Sequence, residues 1–168
     1  VEGLNFLFEA MTKFEKKTGF RLLVFGSGKY LEDFKQKYQN YDTIVFMGFR
    51  DDFVEFLKNS DVYLHISGLD NQPYAIIDAL MQGKVVICND LGGMVETIDL
   101  SNNYVVKLES NSIYNALTRV IIEIRNDFYQ FQQKGLKNKV FAINRYSSKV
   151  VSKEYMQLYH ELMEDQNC

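Results

Sequence analysis

The chain has 168 residues, the length of about one domain, and its 46% hydrophobic and 14% aromatic content suits a packed core rather than a disordered tail. A formal net charge of -3 offers no broad attraction for nucleic acid. No segment approaches the roughly 20 continuous apolar residues of a membrane span, which leaves a soluble, cytoplasmic body as the expectation.

Leu4, Leu7, Phe8, Met11 and Phe14 recur at helical spacing, and Gly19 stands after them as a stop. RLLVFGSG then reads as a short buried strand running into glycines, and KYLEDFKQKYQ as a helix. TIVFMG is a second strand, followed by a short helix in DDFVEFLKNS that Asp51 or Asp52 is suited to cap. DVYLHIS is a third strand.

In DNQPYAIIDALMQGK, residues 70–84, the chain's single proline, Pro73, fits the first turn of a helix. The pattern predicts a helix from about Pro73 to Gln82 with Gly83 as its stop. Ile76, Ala79, Leu80 and Gly83 share one face of it, while Asp78 and Gln82 lie on the other. KVVICND is a fourth strand, GGMVETI a short helix start, and YVVKLE a fifth strand at an edge. SNSIYNALTRVIIEIRND opens on polar capping residues, and the remainder reads as helical. Val151, Tyr155, Leu158, Tyr159 and Leu162 line one face of the last helix, the pattern of a docking face.

Short strands alternating with helices predict a Rossmann-like α/β fold, a parallel sheet with helices on both faces. No repeat or linker divides residues 1–168, so a single domain is expected. Because the chain opens in a helix where such units begin with a strand, it reads as a fragment of a longer polypeptide without its first strand.

The scattered chemistry-bearing residues have plain readings. Cys88 sits in an apolar run and Cys168 at the end, with no ligand or disulfide spacing. His65 and His160 have no cysteine or carboxylate cluster beside them in sequence, so packing or surface roles are expected and a metal site is not.

Ligands of open α/β sheets gather at the carboxyl ends of the strands. Three loops qualify. GSGK, residues 26–29, has Leu31 where the dinucleotide fingerprint wants a third glycine, and no acid ends the next strand. The start of the Pro73 helix presents N–H groups around Tyr74 to Ile76 to an anion. LGGMVETI adds a glycine pair followed by Glu96. Taken alone, each is an ordinary turn or helix start.

Their order is more specific. VFGSG, then IVFMGF, DDFVEFLKNSDVYLHIS, two acids separated by seven residues, and ALMQGKVVICNDLGGMVE together resemble the C-terminal donor-binding domain of family-4 retaining glycosyltransferases of the GT-B fold. The resemblance covers nearly the whole chain. The family pattern is glutamate, seven residues, glutamate, then alanine, glycine and a strand leading to Gly-Gly-x-x-Glu. Asp70, Asp78, Ala79, Gly83, Gly92, Gly93 and Glu96 occupy those positions, with aspartates in place of both glutamates.

The resemblance implies a nucleotide-sugar site without a metal or other cofactor. Asp70 would meet the hydroxyls of the transferred sugar as the catalytic acid residue, and Asp78 the ribose. Backbone groups of Asn71, Gln72, Tyr74 and Ala75 would face the sugar and diphosphate. Met47, Gly48 and Arg50 would edge the base; Gly26, Ser27 and Gly28 would border the cleft, and Ser67 matches the family's serine just before the first acid. Helical rise places the two acids roughly 8 Å apart along the axis, about the span from sugar to ribose.

NQPY replaces the family's Gly-aromatic-Gly or Gly-aromatic-Pro, the family's clamping lysine falls at Glu2, and its arginine precedes Val1. The implied activity is therefore that of an intact protein with an N-terminal acceptor domain, this chain alone being inactive. Its acceptor would be a glycan, a lipid-linked glycan or a protein, as in polysaccharide biosynthesis, with peripheral association at the inner face of a membrane. The alternative is a catalytically degenerate GT-B-like binding or assembly partner. A phosphoacceptor signalling domain lacks its partners here: Asp51 and Asp52 follow a strand, but the other required acid and lysine are absent.

Overall fold

The computed structural model describes residues 2–14 and 19–165. Strands and helices alternate as α1 (Glu2–Met11), β1 (Leu22–Phe25), α2 (Leu31–Tyr38), β2 (Ile44–Gly48), α3 (Phe53–Lys58), β3 (Val62–His65), α4 (Tyr74–Met81), β4 (Val85–Asn89), α5 (Gly93–Thr97) and β5 (Tyr104–Val106). Three helices follow: α6 (Ser110–Asn126), α7 (Phe128–Tyr146) and α8 (Ser148–Asp165). All strand pairs are parallel. One sheet is β1-β2 and the other β3-β4-β5, which puts β5 at an edge as expected.

β4 explains the fold best. Each of its five residues is buried, because a parallel strand between two helical layers has no solvent face. Val85 and Ile87 enter one core with Phe8 and Met11 of α1, Phe34 of α2, and Ile113 and Leu117 of α6. Val86 and Cys88 enter the other with Leu57 of α3, Ile76, Ala79 and Leu80 of α4, and Ala142 of α7. At roughly 1.5–3 kcal/mol for each large apolar side chain removed from water, this two-sided burial fixes the helices on opposite faces.

Several local expectations need correction. α1 ends at Met11, before Gly19: Phe14 is in the core but in a turn, its N–H bonded to the Met11 carbonyl. Pro73 is the cap of α4 rather than its first helical residue, with ψ of 120° in the extended region. Gly83 does stop α4, with φ of 70°.

Asp52 occupies the cap position of α3 but makes no cap bond, because Arg50 takes both carboxylate oxygens at 2.6 and 2.7 Å. No polar side chain caps α6; Ser112 Oγ instead accepts the Lys107 N–H at 3.0 Å, closing the turn out of β5. The helical remainder divides at Asp127, which leaves helical geometry at φ of -156° and ψ of 89° and accepts the Gln130 N–H to start α7, and again at Ser147.

On α8, Tyr155, Leu158, Tyr159 and Leu162 are exposed and Val151 is half-buried. No helix among the described residues is long and apolar enough to cross a membrane. Val1 and Cys168 lie outside the described residues, as does the side chain of Glu2.

Candidate functional site

Parallel strands carry all their carboxyl ends to one side, so Gly26 after β1, Gly48 ending β2, Ser67 to Asp70 after β3, and Asp90 to Gly93 after β4 emerge together. The first two loops are joined: the Gly26 N–H donates to the Gly48 carbonyl at 2.9 Å. Ser27 and Gly28 are exposed, Met47 and Gly48 half-buried, and Arg50 is exposed over the Phe56 ring at 4.8 Å. The Arg50–Asp52 pair raises the guanidinium and lowers the carboxyl, chiefly through their hydrogen bonds.

The other two loops are interlocked more tightly. Asn89, buried at the end of β4, accepts the Ser67 N–H on Oδ1 at 2.9 Å and donates from Nδ2 to the Ser67 carbonyl at 3.0 Å. A Cβ built on Gly93 would lie 2.1 Å from the Asn71 carbonyl oxygen, so the absence of a side chain there admits the Asp70–Asn71 backbone. The Gly92-Gly93 pair is thus a point of close approach as well as a turn. Ser67 Oγ is occupied within its own loop, donating to the Leu69 carbonyl at 3.1 Å.

α4 starts where these loops meet. The Ile76 N–H bonds the Pro73 carbonyl at 3.0 Å, so it is not open as expected; those of Tyr74 and Ala75 have no partner among the described residues. Asp78 is exposed one turn on from half-buried Ala75, and Asn71 and Gln72 are exposed in the loop before α4. Leu69 and Phe49, in loops, and Tyr74, at the start of α4, are 90%, 73% and 82% exposed at this end, apolar surface directed to solvent.

Aromatic rings connect the two halves of the site. Phe25 at the end of β1 meets Phe53 at 5.2 Å between centroids, and Phe53 meets Tyr63 of β3 at 6.4 Å. Tyr63 in turn places its hydroxyl 3.2 Å from His65 Nδ1, and His65 Nε2 lies 2.9 Å from Asp70 Oδ2. Burial pushes the Tyr63 phenol up to about 12, helped by the charges of Asp78 and Asp70.

His65 therefore contacts Asp70, where sequence spacing suggested a packing or surface role. Its one signal was position: alternate residues of a strand share a face, so Tyr63 and His65 point alike toward the loop that follows. Asn89 had no comparable signal. Its bond partner is 22 residues away, and it read as one residue of the strand KVVICND.

Two hollows lie elsewhere. One of about 560 Å³ is lined by Asp99, Asn102 and Lys137, and one of about 270 Å³ by Asp61, Lys84 and Gln132. Both adjoin the amino ends of strands, the side opposite Asp70. Among the described residues no three His, Cys, Asp or Glu side chains are grouped as metal ligands.

The family model for glycosyl transferases group 1 matches residues 1–125. The chain belongs to the group 1 glycosyltransferases. Its fold is the Rossmann-like C-terminal domain of a GT-B glycosyltransferase: the Anabaena protein HepE, solved in complex with UDP, superposes with a TM-score of 0.81 at 17% identity, over 95% of this chain and 45% of that one.

Among curated relatives, the N,N'-diacetylbacillosaminyl-diphospho-undecaprenol alpha-1,3-N-acetylgalactosaminyltransferase of Campylobacter jejuni is 24% identical over 164 residues, 98% of this chain and 43% of that protein. An uncharacterized glycosyltransferase of Methanocaldococcus jannaschii is 26% identical over 170 residues, 97% of this chain and 43% of that one. The chain thus spans less than half the length of these group 1 relatives.

Proposed function

We propose that this chain is the donor-binding domain of a retaining glycosyltransferase, which moves a sugar from a nucleoside diphosphate to a lipid-linked glycan. What carries this assignment is the convergence of Asp70, the start of α4 and the Gly92-Gly93 loop at the carboxyl ends of β3 and β4 in a group 1 chain. The UDP bound by HepE supports a nucleotide-sugar donor, and the undecaprenol-linked substrate in the Campylobacter relative's name supports the acceptor class. That acceptor would bring the intact protein to the surface of a membrane.

In transfer, the bond from the anomeric carbon to the β-phosphate oxygen breaks and its electron pair stays on the diphosphate. The acceptor oxygen bonds the anomeric carbon, and its proton passes to the departing phosphate oxygen. The Tyr74 and Ala75 N–H groups, at the positive end of α4, are suited to the growing phosphate charge, and as fixed dipoles they need no reorganisation. No metal is required for that role. Asp70 would accept hydrogen bonds from sugar hydroxyls and Asp78 from the ribose, since an ionised carboxylate only accepts.

The two unjoined sheets support a further part of the proposal. In the order 3-2-1-4-5-6, a strand preceding Val1 would lie between β1 and β3 and make one sheet of the two.

The experiment uses the full-length protein. Calorimetric titration with UDP, GDP and ADP sugars at up to millimolar concentration should show binding of one class, and Asp70→Ala should lose turnover without losing the fold. Binding by none would favour the non-catalytic assembly partner, which the two shortened acids also suit.

A further inference from the structure

Tyr63, His65 and Asp70 form a line of polar contacts that the donor-site assignment does not itself require. Tyr63 and His65 are two apart on β3 and so face the same way; Asp70 returns to them from the loop. The imidazole is 18% and the Asp70 side chain 31% exposed, so the contact is sheltered but open on one side.

The hydrogens in this line are determined by chemistry. With its phenol pushed to about 12, Tyr63 keeps its proton at neutral pH and can donate to Nδ1 at 3.2 Å. An imidazole that accepts at Nδ1 carries its hydrogen on Nε2, and Nε2 lies 2.9 Å from Asp70 Oδ2. Asp70 Oδ1 has no partner among the described residues. One oxygen is therefore held while the other is left to accept a further hydrogen bond.

We propose that His65 is a positioning residue: locked by Tyr63 in the Nε2–H form, it fixes the Asp70 carboxylate so that Oδ1 is presented to the donor sugar. This rests on the assignment of Asp70 as the sugar contact. It also accounts for a short acid in that place. An aspartate has one methylene less than a glutamate with which to find the sugar, and an imidazole behind it restricts the search to one orientation.

Two measurements on the full-length protein test this. Long-range proton–nitrogen NMR with labelled histidine should report the Nε2–H tautomer for His65, and Tyr63→Phe, which leaves the imidazole in place, should mix the tautomers. This needs no donor. An Nδ1–H tautomer, or a Tyr63→Phe spectrum identical to wild type, overturns the proposal.

The second is a double-mutant cycle read by turnover of UDP-glucose, UDP-galactose or UDP-N-acetylgalactosamine. His65→Phe should lower kcat about tenfold, within the range of coupled neighbours, and leave the affinity for UDP alone unchanged. His65→Gln, which keeps an N–H near the Nε2 position, should recover most of it. In an Asp70→Asn background, His65→Phe should cost nothing further. Additive losses, or wild-type kcat in His65→Phe alongside a damaged Asp70→Asn, remove the role of His65 and leave the donor site standing. Wild-type turnover in Asp70→Asn removes both.

Discussion

The side chain of Asn89 grips the Ser67 backbone at both of its polar groups, continuing the β3–β4 pairing one step past His65↔Cys88 with a side chain in place of a strand. Asn89→Leu removes both bonds at a site that is 2% exposed. We expect a loss of about 1–3 kcal/mol in urea unfolding, with faster amide exchange across residues 66–71 than elsewhere. Unchanged exchange in that loop would mean that the grip is dispensable.

Gly93 and Gly135 provide a matched pair of tests. A Cβ on Gly93 would meet the Asn71 carbonyl oxygen at 2.1 Å, and one on Gly135 would meet the Gly83 carbonyl oxygen at 2.0 Å. Each alanine should cost about 1–3 kcal/mol, the usual penalty for overpacking. Only Gly93→Ala should also weaken nucleotide binding, because only it displaces the loop bearing Asp70. Equal effects of both on UDP affinity would count against that placement.

The amides of Asn103 and Asn138 bond each other reciprocally at 2.8 Å, joining the start of β5 to α7. Asn103 also accepts the Val86 N–H, and Asn138 donates to the Lys84 carbonyl. Asn138→Leu leaves buried partners unmatched and should cost about 1–3 kcal/mol. The Asn103→Leu/Asn138→Leu double variant should cost less than the sum of the singles, which chemical denaturation of all four proteins would measure.

Glu123 receives bonds from Lys134, Tyr104 and Arg119. Burial acts to raise its pKa, but those bonds outweigh it and hold the group below the usual carboxylate range. A carboxyl depressed in the folded state stabilises fully above its unfolded pKa, and that contribution is lost as pH falls through the folded value. Wild-type stability should therefore fall below about pH 4.5 more steeply than that of Glu123→Gln, by about 1 kcal/mol at most for so partly exposed a group. Parallel pH curves for the two proteins would refute this.

Periodicity exposed most of the fold because its cause is local. VVICN reads as a buried parallel strand since both of its faces are covered, and the α4 stripe of Ile76, Ala79 and Leu80 is buried as its spacing predicts. The caps were less legible. Asp52 has the right residue type for a cap, but Arg50, two residues earlier, offers two charge-assisted bonds that helix N–H groups cannot match.

Within the candidate site, the order of Asp70, Asp78, Gly92 and Gly93 along the chain was legible in the sequence. The contacts of His65 and Asn89 were not, because they exist only once the loops close over the strand ends. Gly93 was visible as a turn residue, yet what it admits is a carbonyl 22 positions upstream.

That last contact links the histories of two loops. With no room for a methyl group between Gly93 and the Asn71 carbonyl, a sequence that acquires a side chain at position 93 must reshape the backbone at position 71 in the same lineage. A library that randomises the glycine turn alone should therefore yield few folded members, unless the backbone at positions 70–71 is free to change with it.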